Sequence, residues 1–512
     1  MKTDLTKHSF INSTFTLASQ ISGFVRDIFL AAFLGSGTIS NIFVIALRLP
    51  FSFQQSLSGE TFHSAFIPTL SAIGGKEAVY KRHQLAKNIF WISFLILMPL
   101  ILIAEIYMPF ILQMIAPGMV DNPKFDLLVL CSRISFPYLS FIVLSSVFIG
   151  LLNFKNKFSV TASIPILLNM CIVLYVIFSN NLSEDKVIYL CWVLLIGGAA
   201  QLSLLLFATD SEFWNSSVNI SGGFSDIKRF FKLIAPTFFS QTFIQINFLV
   251  GIVFASFFEG AVSYIYFAER VYMFPLTLTG ISIATALKPD LSRNIHANDT
   301  NSALKIQNKA YKLAIAASLP AALILLMLSQ EIIQFIYERG EFSSNSTLNT
   351  AAVLQLFSLG LPAMCITKIL SPYYFAKENP QTPFKITTFS VLINILLTLI
   401  LFQFMGYLSI PLSISITAVL TLIMYIRGHK KEGFFYLSPE IIMHTIKYIG
   451  LCIVLSVEIV IIKEIASFFN FYNYSTLMIA LIFCFISFLF FLKIFDKELI
   501  QDFKSLLSKS SN

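Results

Sequence analysis

About fourteen apolar stretches, each long enough to cross a bilayer, follow one another along the chain with short polar connections between them. The helices they predict run approximately over 9–34, 38–74, 86–112, 125–152, 157–179, 186–208, 229–257, 260–288, 305–336, 345–376, 381–404, 406–426, 439–466 and 472–496. About twenty apolar residues cross the hydrocarbon, so the longer segments are expected to tilt or to project beyond it. Pro50, Gly59, Pro137, Pro236, Pro275 and Gly280 interrupt them. Such breaks are tolerated in a membrane where neighbouring helices re-satisfy the freed backbone groups. The expected fold is therefore an all-α polytopic membrane protein.

The polar connections carry a second pattern. With an even helix count both termini share one side, and that side collects roughly 24 lysines and arginines, among them Lys76, Lys81, Arg82, Lys155, Lys157, Lys377 and Lys431. The opposite connections hold roughly four: Lys124, Lys186, Arg339 and Lys463. The bias predicts that both termini face the cytoplasm, and its regular alternation supports the count, since a missed helix would scramble it. Three blocks result: residues 1–222 with six helices, 223–433 with six more in the same sense, and 434–512 with two helices and a tail. Ser216–Gly223 reads as the linker between the first two blocks. After Asp496, apolar residues at helical spacing beside Lys504 and Lys509 predict a short interfacial helix.

The first two blocks also share wording. Leu57-Ser58-Gly59-Glu60-Thr61 through Ala65, Pro68 and Ser71 is echoed by Leu278-Thr279-Gly280-Ile281-Ser282 through Ala286, Pro289 and Ser292, at a constant offset of about 221 residues. Two six-helix halves of one orientation imply pseudo-symmetry about an axis along the membrane normal, the construction of a carrier that alternates access. Gly59 and Gly280 are the expected hinges.

Composition narrows the class further. At 512 residues, 56% hydrophobic and 12% charged, the chain is too apolar for an ordinary soluble protein. The net charge of +8 is explained by membrane orientation rather than nucleic acid. The six cysteines lie within apolar stretches without disulfide or metal spacing and read as packing residues. The first apolar segment is too long for a signal-peptide core and holds Arg26-Asp27, so it reads as a transmembrane helix. No P-loop, Gly-rich phosphate fingerprint or metal-spaced His/Cys cluster points to catalysis or nucleotide binding. No cofactor is expected, a sodium ion aside.

Ionisable groups inside hydrocarbon mark pathways by default. Arg26, Asp27, Arg48, Glu60, Glu269 and Arg270 all fall within predicted helices. Neighbours at i and i+1 point in different directions, so neither Arg26–Asp27 nor Glu269–Arg270 is expected to close into a self-contained ion pair. Arg270 falls about ten residues from the outer start of its helix, about 15 Å deep and near the midplane. The bland alternative pairs these arginines with carboxylates that lock helices together. Glu105, Glu331 and Glu458 read as structural, and His63 as a helix-packing side chain.

The runs Gly23-Phe24-Val25-Arg26-Asp27 with Leu34-Gly35, and Phe43 through Pro50 leading to Ala65-Phe66-Ile67-Pro68, resemble the MurJ/MviN family. So do Leu152-Asn153 before Phe158, Tyr266-Phe267-Ala268-Glu269-Arg270 with Pro275 and Gly280, Tyr337-Glu338-Arg339-Gly340-Glu341-Phe342, and Thr382-Pro383-Phe384-Lys385. The resemblance spans nearly the whole chain in order. It implies a lipid II flippase of the MOP superfamily (MATE-like), with fourteen helices, two lobes, a cationic cavity, and a place in the bacterial cytoplasmic (inner) membrane. Its implied cargo is undecaprenyl-diphosphate-linked peptidoglycan precursor, carried from the inner to the outer leaflet for cell-wall synthesis. An arginine fork suits such a diphosphate.

By that resemblance Arg26 and Arg270 grip the diphosphate, with Asp27, Arg48 and Glu60 nearby. Gln20, Asn41, Gln54 and Gln55 stand where the family has an arginine, an acidic residue and a basic pair, and the family's E-G order appears as Gly59-Glu60. These departures imply weaker anion capture. A sodium site of the family's kind would use Asn394 and Thr398, with Gln241, Gln245 and Asn247 as further candidates, all neutral oxygen donors. Other readings are an exporter of another polyprenyl-linked glycan or an amphipathic drug, and a degenerate, non-transporting envelope scaffold. The partners implied are lipid II or a related polyprenyl-diphosphate lipid, membrane lipids and cell-wall synthesis enzymes, and no nucleic acid.

Overall fold

The computed structural model describes residues 2–75, 78–155, 157–179, 185–220, 223–434, 439–469 and 473–496. Side chains of 2–17 and of Glu60, Phe158, Phe239, Ser240, Phe243 and Ile244 are not among those described. The described residues form helices without a strand. In order they are α1 (Lys2–Leu34), α2 (Thr38–Leu57), α3 (Gly59–Ala72), α4 (Ala78–Ile106), α5 (Met108–Ile115), α6 (Phe125–Ser135), α7 (Tyr138–Phe154), α8 (Phe158–Phe178), α9 (Lys186–Ala208) and α10 (Ser211–Asn215). There follow α11 (Phe224–Ala255), α12 (Ala261–Pro275), α13 (Ser282–His296), α14 (Thr300–Met327), α15 (Ser329–Tyr337), α16 (Ser344–Ala376), α17 (Gln381–Met405), α18 (Ser409–Lys431), α19 (Pro439–Phe468) and α20 (Asn473–Phe495).

Among the described residues, nine helical stretches are long and apolar enough to cross a membrane, which makes this a multi-pass membrane protein. One of them, Gln381–Lys431, runs 51 residues, roughly 75 Å of helix and far more than one crossing. It folds back on itself at Gly406, whose φ of 57° only glycine adopts readily. Ser390 meets Thr421 and Thr398 meets Ser413, so α17 and α18 run antiparallel.

Several predicted spans are broken where the backbone chemistry requires it. The span 38–74 divides at Ser58, whose extended backbone precedes Gly59 at φ 58°. The span 125–152 divides at Phe136-Pro137, since proline lacks the N–H that would continue α6. The span 260–288 does not break. Its α-helix passes through a π-helical turn, Leu276–Ile281, directly after Pro275.

The chain forms two compact units, Met1–Ser263 and Tyr264–Asn512. The division lies beyond the 222/223 boundary read from sequence, because α11 packs on α2 and α3 within the first unit. The predicted linker is partly fastened there. Lys87 Nζ donates to the carbonyls of Trp214 (3.0 Å) and Ser216 (2.6 Å). Asn88 and the Asn219 backbone exchange two hydrogen bonds of 2.9 and 3.0 Å. The interfacial helix expected after Asp496 lies outside the described residues.

Each unit has its own core. In the first, Phe62, Phe66, Phe148 and Phe230 gather with Leu70, Ile89 and Leu205. In the second, Leu291, Tyr373, Tyr374, Tyr448 and Leu455 are buried together. Gly360 on α16 lets α18 approach so closely that a Cβ there would stand 2.7 Å from Ser415 Cα. Lys463 of α19 pairs with Glu331 of α15 at 2.7 Å, and Ser487 of α20 donates to Glu458 of α19 at 2.6 Å. Both carboxylates thus tie helices together, as expected of structural groups.

Candidate functional site

In the first unit the polar centre is built on α1 and α8. These helices run parallel, with Ser22 and Arg26 beside Asn169 and Phe33 against Tyr175. Arg26 donates from Nε (3.0 Å) and Nη2 (2.8 Å) to one oxygen, Oδ1 of Asp27. Its Nη1 donates to Asn169 Oδ1 at 3.0 Å, and Asn169 Nδ2 donates to Ser22 Oγ at 2.8 Å. Arg26 is 8% exposed and Asp27 1%.

This corrects the expectation that adjacent residues would not pair. The arginine stem is long enough to curl back across the angle between successive side chains, and burial makes the opposite charge worth reaching. In a low-dielectric interior an unpaired guanidinium would pay a desolvation penalty of several kcal/mol. Asn169, which sequence reasoning missed, completes the fork. Its only signal was a lone amide within the apolar run Ile164 to Val176.

The other candidates of this unit are placed apart from that pair in character. Asn41 is 1% exposed, and its Oδ1 accepts from the Ser263 amide (3.0 Å) and hydroxyl (2.8 Å), so it joins α2 to the start of α12. Gln20 and Gln55 are exposed, while Arg48 and Gln54 are half-buried. The Oε1 of Gln54 is enclosed without a hydrogen-bond partner. The Glu60 side chain lies outside those described. His63 packs edge-on against Phe62 with ring centroids 6.2 Å apart. Gln241, Gln245 and Asn247 stand half-buried on α11.

In the second unit Arg270 is exposed on α12. Its guanidinium lies 4.8 Å from the ring centroid of Tyr266, one turn earlier, and Nη2 donates to that tyrosine's hydroxyl at 3.4 Å. Tyr266 is itself buried, so it offers a fixed aromatic face on which the fork rests. Glu269 beside it is half-buried. Asn394 and Thr398 are buried on α17. Thr398 Oγ1 donates to the Asn394 carbonyl (2.8 Å) and shares a 2.7 Å bond with Ser413 of α18. That hydroxyl is engaged in bonding between α17 and α18.

The repeated glycines differ. Gly59 holds a helix break in the left-handed region. Gly280 is buried within the π-helical turn, where a Cβ would meet Cys365 Cα at 3.1 Å.

Comparison with known proteins agrees with this architecture. The family model described as lipid II flippase MurJ matches residues 30–482. A probable lipid II flippase MurJ of Rickettsia prowazekii is 32% identical over 463 residues, covering 90% of each chain. One from Rhizobium meliloti is 34% identical over 398 residues, covering 76% of this chain and 73% of its own. Among solved structures, a lipid II flippase MurJ in an inward closed conformation superposes with a TM-score of 0.81 at 25% identity, over 96% of this chain and all (100%) of that one. An inward-facing multidrug transporter of the MATE family, in the MOP superfamily, shares the fold with a TM-score of 0.66 at 15% identity, over 84% of this chain and 99% of its own.

Proposed function

Since the chain belongs to the lipid II flippase MurJ family, we propose that it carries lipid II from the inner to the outer leaflet of the bacterial inner membrane for peptidoglycan synthesis. The observation that carries this reading is the match to that family along nearly the whole chain, in sequence and in fold. Fourteen crossings with both termini in the cytoplasm complete the proposed topology. Transport draws on the membrane potential or an ion gradient, where one charge moved across 100 mV is worth about 2.3 kcal/mol.

Arg26 and Arg270 hold the anionic diphosphate in this reading, and they do so differently. Arg26 already grips an anion, the Asp27 carboxylate, with two hydrogen bonds. A phosphate that replaced Asp27 would meet a fork aimed and desolvated beforehand. Asp27 would then act as the resting counter-ion, sparing the empty carrier a naked buried charge. Arg270 meets the diphosphate from an exposed position, its guanidinium laid on the Tyr266 ring. Gln20, Asn41, Arg48, Gln54, Gln55 and Glu60 follow as weaker polar contacts, and Gly59 and Gly280 as bending points.

The test is exposure of lipid II at the outer leaflet in cells whose own flippase is depleted and this chain is supplied. Export by the wild type and its loss in Arg270→Ala are expected. Normal export by Arg270→Ala removes that residue from the site, and no export by a folded wild type removes the cargo assignment.

A further inference from the structure

Away from the arginines, the first unit gathers five ionisable side chains where α4, the α7–α8 connection and α10 meet. His83, in the second turn of α4, is 2% exposed. Its Nδ1 bonds the Val79 carbonyl at 2.9 Å. A carbonyl only accepts, so Nδ1 carries the proton and Nε2 keeps its lone pair. That lone pair faces Lys155 Nζ at 3.1 Å. The same ammonium bonds Asp210 Oδ2 and stands 3.8 Å from Glu212 Oε2, while Lys157 donates to Asp210 Oδ1 at 2.9 Å. One nitrogen and two carboxylate oxygens therefore surround a single cation.

We propose that His83, Asp210 and Glu212 form a binding site for a transition-metal dication, with Lys155 as its resident competitor. One ligand atom from each of the three lies within 4.8 Å of the others. Tetrahedral bonds of about 2.1 Å place ligands roughly 3.4 Å apart, so the set must contract by about an ångström. Glu212, with its side chain 56% exposed, is free to supply that movement.

The histidine is prepared for the task. Metal-ligating imidazoles almost always donate their second ring nitrogen to a carbonyl or carboxylate, which fixes tautomer and ring angle. The Val79 carbonyl does this here. An imidazole within the set selects a borderline metal such as zinc or cobalt over magnesium or calcium, which prefer oxygen alone. Three protein ligands leave a fourth position for water.

Lys155 holds the same centre with one charge where the metal brings two. Its side chain is 29% exposed on the connection after α7, so it can leave toward solvent. Metal binding would exchange the α7–α10 link made by lysine for an α4–α10 link made by the ion.

The test is titration of the full-length chain in detergent, its affinity tag removed, with Co²⁺. Visible absorption and calorimetry give geometry and stoichiometry. One equivalent is expected, weakened roughly tenfold or more by His83→Ala. Lys155→Met should tighten it, an effect that a purely structural role for the lysine would not produce. Asp210→Asn and Glu212→Gln replace His83→Ala if that variant does not fold, and each is expected to weaken binding. The proposal is overturned if wild type and Lys155→Met both take up no cobalt. It is equally overturned if the ligand variants bind as the wild type does, or if Lys155→Met leaves affinity unchanged.

Discussion

Arg26 and Asp27 are neighbours on a helix, where successive side chains diverge by about 100°. They pair nonetheless, because a buried guanidinium gains more from a carboxylate than its stem loses by curling back. Removing one partner of a buried pair is severe, since the other charge stays behind uncompensated. Asp27→Ala is expected to lower stability by about 3–5 kcal/mol, read as a fall in the thermal unfolding midpoint in detergent. A midpoint unchanged from wild type would mean that the buried fork does not depend on Asp27.

At the surface the same chemistry is worth little. Glu432 is desolvated, which raises its pKa, but hydrogen bonds from Lys377 and Tyr373 outweigh this and hold the carboxyl below its usual 4.5. A lowered folded value means the stabilisation is present above 4.5 and is lost as pH falls through the folded value. The pair is partly exposed, so Glu432→Gln should cost less than about 1 kcal/mol at neutral pH. Acidification below 4.5 should narrow the gap between variant and wild type, measured by unfolding at several pH values.

At the scale of elements, one repeated phrase has two structural outcomes. Ser58-Gly59 ends one helix and begins another, with Gly59 in the left-handed region and open space where a Cβ would stand. Thr279-Gly280 instead widens a continuous helix into a π turn, and Gly280 faces Cys365. The substitutions should therefore fail for different reasons. Gly59→Ala pays backbone strain alone, about 1–2 kcal/mol. Gly280→Ala keeps its backbone comfortable but crowds both Cα (3.1 Å) and Sγ (3.3 Å) of Cys365, so Cys365→Ala should relieve it in part, through the lost sulfur, and leave Gly59→Ala unrelieved. Unfolding midpoints of the two single and two double variants check this. If the cysteine change rescues both or neither, the assignment of causes is wrong. The sequence placed both glycines at interruptions of apolar helices, but the kind of interruption depends on what stands opposite. For Gly280 that neighbour is 85 positions further on.

At the scale of the whole molecule, two helical units each close around an aromatic-rich core, and the chain joins a family whose named members are lipid II flippases. The proposed topology can be checked directly. Single cysteines at Ser217 and at Asn122, in a cysteine-free background, should label from the cytoplasmic and the outer side respectively. Labelling of both from one side would undo the helix count. The all-helical, membrane-spanning class was legible in sequence, since hydropathy compares a local stretch of chain with the bilayer. The family likeness was legible too, as its motifs are short and lie in order. Which polar group meets which was not. Arg26 to Asn169, Asn41 to Ser263 and His83 to Lys155 join positions whose separation says nothing of contact. Local composition decides whether a helix belongs in lipid, but the partner of a buried charge is chosen only when helices pack and water leaves.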